Sequence, residues 1–156
     1  MNAIFHQKKR QGFTLVELIV TIVLIAIVLG ALFNFLFFNM KTYEKGDKLS
    51  AVQFDVRMAV DFVIDELRNI SQVSDDSSVI TAYLTLDAST LTTKYPSVTG
   101  VAFTLLKEQD RNLVDFIVTG NSTDGKSPYS LNGKVLLNNI RNMEEITTAF
   151  NVLYYK

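Results

Sequence analysis

Residues 12–38 read GFTLVELIVTIVLIAIVLGALFNFLFF, and this stretch decides how the rest of the chain is organised. From Phe13 to Phe38 the one formally charged residue is Glu17. As a helix these 26 residues are roughly 39 Å long, whereas a hydrocarbon core of about 30 Å needs only about 20. The many β-branched residues (Val16, Ile19, Val20, Ile22 and their neighbours) would suit a strand in water. In lipid the helix prevails, because an open strand leaves its backbone donors and acceptors unsatisfied. Upstream lies a short basic leader with Lys8, Lys9 and Arg10, closed by Gly12 at the polar–apolar boundary.

Three readings of this arrangement compete. A plain signal anchor is the simplest. A secretory signal cut near Ala31 finds a tolerable small-residue site in Val28-Leu29-Gly30. The apolar run nevertheless continues to Phe38 with no polar region before that cut, which argues against it. The third reading accounts for Gly12 and Glu17. A carboxylate in a membrane helix costs about 2.5–3.5 kcal/mol at the bilayer centre and less near the interface, so it calls for a partner. Cutting between Gly12 and Phe13 would create an α-amino group one helical turn from Glu17, and with it the missing cation.

The run Lys8-Lys9-Arg10-Gln11-Gly12-Phe13-Thr14-Leu15-Val16-Glu17-Leu18 resembles the class III signal of type IV prepilins and type II secretion pseudopilins. The resemblance implies a prepilin peptidase that removes residues 1–12 and methylates Phe13, with Glu17 as the glutamate that guides assembly. It implies as partners the membrane, an assembly platform protein and other pilin or pseudopilin subunits packed helix to helix. It places the N-terminus in the cytoplasm and the head group outside, then on a cell-surface pilus or pseudopilus. The positive-inside count alone does not orient the chain, since Lys41, Lys45 and Lys48 balance the leader. Many major pilins carry a proline in the second half of this helix. Here Gly30 and Asn34 are the nearest breakers, which implies either a different local flexibility or a minor rather than a major subunit.

The remainder reads as a soluble domain. Net charge is −1 overall, but residues 13–156 hold 12 bases against 16 acids, so no basic surface for nucleic acid is expected. There is no cysteine, which excludes disulfides and thiolate metal sites. Over residues 39–73 the helix is expected to continue as an amphipathic one, with Gly46 as a weak point. Leu49, Val52, Val56, Val60, Val63, Leu67 and Ile70 recur at steps of three and four. Asp75-Asp76-Ser77-Ser78 reads as a loop, and residues 74–156 form a β-rich head group. Its expected strands are Val79–Leu86, Val101–Lys107, Leu113–Thr119, Val135–Ile140 and Ala149–Tyr155, with turns at 108–112, at 121–128 and at Asn132-Gly133. The fold class is therefore α+β: a long N-terminal helix packed on a small antiparallel sheet. The strand sequence resembles that of J-type pseudopilins and PilW-like minor pilins.

No catalytic constellation is legible, and an enzyme is not expected. The sole histidine, His6, lies in the leader, so a Ser-His-Asp arrangement is excluded from the cut chain. Asp75 and Asp76 match no calcium-loop spacing, and no metal or cofactor is expected. Asn69-Ile70-Ser71 and Asn121-Ser122-Thr123 match a glycosylation pattern that short sequences meet by chance. Two function classes remain: a structural filament subunit, and a monomeric membrane-tethered sensor or adhesin with an uncut anchor.

Overall fold

The computed structural model describes residues 12–78, 84–108, 111–140 and 145–156. The leader cations Lys8, Lys9 and Arg10, and the first part of the expected strand Val79–Leu86, lie outside the described residues. The chain divides into two compact units, one up to Tyr43 and one over Glu44–Lys156.

Helix α1 covers Leu15–Arg68. Helical geometry runs unbroken through Gly30, Asn34 and Gly46, so none of these residues breaks it. Residues 13–43 are exposed throughout. Beyond them one face is buried: Val52, Val56, Ala59, Val60, Val63 and Leu67 within α1, then Ile70 just past its end. Most of these positions are those marked by the three–four periodicity. The helix stops at Arg68, short of residue 73, because the chain turns at Asn69 to enter the short strand β1 (Val73–Ser74).

The rest of the second unit holds β2 (Leu84–Asp87), α2 (Ala88–Lys94), β3 (Val98–Glu108), β4 (Arg111–Gly120), β5 (Tyr129–Leu137), β6 (Ile146–Phe150) and β7 (Val152–Tyr155). Instead of one meander there are two antiparallel sheets, ordered β5-β4-β3-β6 and β1-β7-β2. Strand β4 shows why the larger sheet has one covered face: Asn112, Val114, Phe116 and Val118 point inward, while Ile117 and Thr119 are exposed. Inward residues of β3 and β4 join those of α1 in one core. There the Phe103 ring lies 6.3 Å from that of Phe116 and 6.1 Å from that of Phe150. Burying one such side chain contributes about 1.5–3 kcal/mol.

Three elements depart from the sequence expectation. The expected turn at Asn132-Gly133 is mid-strand in β5, where Gly133 pairs with Phe116 and leaves the space that the Phe116 ring fills. The expected strand Ala149–Tyr155 is two strands parted at Asn151: β6 pairs with β3, and β7 lies between β1 and β2. Helix α2 was not expected at all.

Asp87 starts α2. Its Oδ1 accepts from the Thr90 backbone N–H at 2.8 Å and from the Thr90 hydroxyl at 2.7 Å. These bonds, the backbone one foremost, hold its carboxyl below the ordinary range. Asp87→Ala is expected to cost about 1 kcal/mol, the usual worth of a lost N-cap. Because the folded-state pKa is depressed, the carboxylate's contribution is present above the unfolded pKa and is lost as pH falls through the folded one. Urea titrations of both proteins should show the difference at neutral pH and its decline in acid.

Candidate functional site

The residues singled out by the sequence lie at the start of α1. Gly12, Phe13 and Thr14 precede the helix in non-helical conformation. Phe13 is 77% exposed, and a Cβ added at Gly12 would meet no atom within 4 Å. Gly12, Phe13 and Thr14 thus lie outside regular structure, with the Phe13 side chain open to solvent.

Thr14 begins the helix. Its hydroxyl accepts from the Glu17 N–H at 3.3 Å, and its carbonyl accepts from the Leu18 N–H at 3.1 Å. Thr14-x-x-Glu17 is therefore the threonine–glutamate spacing of a capping box, a helix-start signal carried by the sequence itself. Glu17 also sits in the first turn, where a negative charge is favoured by the exposed N–H groups.

The polar side chains farther along are satisfied within the helix. The Thr21 hydroxyl donates to the Leu18 carbonyl at 2.8 Å, and the Asn34 amide donates to the Gly30 carbonyl at 2.9 Å. The Asn39 amide and the Thr42 hydroxyl donate to Phe35 and Phe38, each at 3.0 Å. Such back-bonding lets polar residues enter lipid without orphaned donors. The Glu17 carboxylate is different: it has no side-chain partner among the described residues. α1 is the one described helix long and apolar enough to cross a membrane.

A family model, the prokaryotic N-terminal methylation motif, matches residues 7–33. The chain has a type IV pilin-like N-terminus. The match spans Gly12, Phe13 and Glu17 together with the first half of the apolar helix. The α+β layout beneath it, a long helix whose second half packs on antiparallel sheets, is pilin-like as well. Comparison with curated proteins and with solved structures gives no match.

Asp76 accepts from the Ser78 N–H at 2.8 Å, a turn contact that lowers its pKa. Among the described residues no group of three or more His, Cys, Asp or Glu could hold a metal ion. The Tyr155 hydroxyl donates to Glu66 at 3.2 Å. Burial, with Glu66 adding to it, pushes that phenol up to about 12. Tyr129 packs against the core. Asn121 is consumed by its own turn, accepting from the Ser122 and Ser127 N–H groups and donating to the Gly125 carbonyl, whereas Asn69 is exposed. The same turn is tied to α1 by Lys48, which lies 2.7 Å from Glu44 and 3.1 Å from Asp124.

Proposed function

We propose that this pilin-like chain is a structural subunit, of minor rank, of a type IV pilus or pseudopilus. A prepilin peptidase removes residues 1–12 and methylates the amine of Phe13. Residues 13–38 hold the subunit in the membrane, leader inside and head group outside, until an assembly platform passes it into the filament. Residues 39–73 and 74–156 carry the head group. The proline-free apolar helix supports minor rank.

One observation carries this reading. Within residues 13–38 the side chains of Thr21 and Asn34 bond to the helix's own carbonyls, whereas Glu17 presents the one charge, without a side-chain partner among the described residues. It stands four residues after Phe13, whose amine is freed by the proposed cut. An uncut anchor on a monomeric sensor or adhesin frees no amine one helical turn before that carboxylate.

Co-expression with an active prepilin peptidase, followed by intact-mass and N-terminal analysis, is expected to give a chain starting at a methylated Phe13. Recovery of the Met1 start despite peptidase activity on a control prepilin would leave only the tethered monomer.

A further inference from the structure

The second unit does not bury all of its apolar helix surface. On the side of α1 away from the core, Phe54 is 65% exposed and Met58 40% exposed. Spacings of four, three and four place Phe54, Met58, Asp61 and Asp65 on one face of the helix. The buried positions Val52, Val56, Ala59 and Val63 mark the other face. The outer face is thus a short apolar ridge running into a pair of carboxylates. Asp61 has no partner among the described residues, and Asp65 has only an exposed contact to Arg68 at 3.6 Å.

The same chain carries the complement. Asn34, Phe38, Lys41 and Lys45 repeat the spacing with cations in place of the acids. Glu44 and Lys48 neutralise each other at 2.7 Å. That leaves Lys45 without an ionic partner among the described residues and Lys41 with only the Phe37 ring, 4.4 Å from its ammonium. Met58 and Phe38, Asp61 and Lys41, and Asp65 and Lys45 are each 20 positions apart. Two parallel helices displaced by that interval, about 30 Å of rise, bring Met58 against Phe38 and both acids against both cations, and set Phe54 over Asn34, whose amide is already satisfied by the Gly30 carbonyl. In register, the same helices set Asp61 against Asp61 and Lys41 against Lys41.

We propose that the ridge Phe54–Met58–Asp61–Asp65 docks the Asn34–Phe38–Lys41–Lys45 face of a second copy of this chain, displaced by 20 residues along the helix. The two patches differ, so the contact is heterologous and propagates rather than closing on itself. This rests on the filament reading given above, and it holds for any number of adjacent copies, whatever the rank of the subunit.

The test uses the full chain in a host that cuts and assembles it. The absence of cysteine gives a clean background. Filaments of a Phe38→Cys/Met58→Cys chain, treated with a short bis-maleimide that adds one thiol at each end, should yield a ladder of covalent dimers and higher multiples. Each single variant should give none. Asp61→Lys/Asp65→Lys should reduce incorporation at least about tenfold, and adding Lys41→Glu/Lys45→Glu in the same chain should restore most of it. Cleavage and membrane insertion, measured in parallel, should stay at the level of the parent. Filaments that assemble without the ladder, with the charge swap failing to rescue, overturn this contact and leave the filament reading standing. Crosslinks to a different subunit in place of the ladder also overturn it. A parent chain that is never cut or assembled removes both.

Discussion

Glu17→Ala is expected to insert and to be cut after Gly12 as the parent is, while its incorporation into filaments falls at least about tenfold. The proposed pair lies in a region with little water, where removing one partner of a buried ion pair costs about 3–5 kcal/mol, and each 1.4 kcal/mol is tenfold. The capping geometry supplies a competing account, because Thr14 and Glu17 have capping-box spacing and glutamine serves nearly as well as glutamate there. Glu17→Gln separates the two. If Glu17 acts only as a cap, Gln should assemble normally; if its charge answers the Phe13 amine, Gln should fail as Ala does. Thr14→Ala, which removes the cap and keeps the charge, should assemble. Pull-down of sheared filaments with quantification of the subunit reads all three.

The second large effect lies in the head group. Gly133→Val is expected to destabilise the fold by about 3 kcal/mol, at the upper end of overpacking costs. A Cβ at Gly133 would run into the ring of Phe116, its cross-strand partner. Phe116 is 1% exposed and held on its inner side by Phe103, so the ring has nowhere to retreat. In a Phe116→Leu background the added cost should shrink to below about 1 kcal/mol, since contacting residues are not additive. Near-UV circular dichroism of the detergent-solubilised chain during urea unfolding follows the loss.

The same glycine shows where the sequence could be read and where it could not. The buried stripe of α1 was legible because a three–four recurrence over five turns has one structural explanation. Asn132-Gly133 has two, since the dipeptide serves a tight turn and a glycine also serves wherever a neighbouring ring needs its volume. Only the pairing of β5 with β4 distinguishes them. Helix α2 was hidden by its composition: in Ala88–Lys94 the threonines and Ser89 are poor helix formers, and Leu91 alone is fully buried. Its one signal, Asp87 three residues before Thr90, is a cap that loops share. The parting of β6 from β7 was invisible because strand-forming residues run on both sides of Asn151 with no Gly or Pro between them. Phe150 faces Phe103 in one sheet while Leu153 pairs with Leu86 in the other. The N-terminal methylation motif was legible, because lipid makes an isolated charge conspicuous in a way that water does not. What escaped there was Thr14, whose hydroxyl only the coordinates orient.

Strand β7 places a timing constraint on the head group. It is the middle strand of its sheet, and its partners lie far earlier in the chain, in residues 73–74 and 84–87. The backbone of Lys156 completes the attachment, its carbonyl accepting from the Ser71 N–H at 2.6 Å and its N–H donating to the Gln72 carbonyl at 3.2 Å. Until residues 152–156 arrive, β1 and β2 have no strand between them and the core lacks Leu153. Contacts that span so much chain form late, because loop closure must be met before they contribute. A head group emerging N-terminus first through a membrane would therefore stay open along one side until residues 152–156 had crossed.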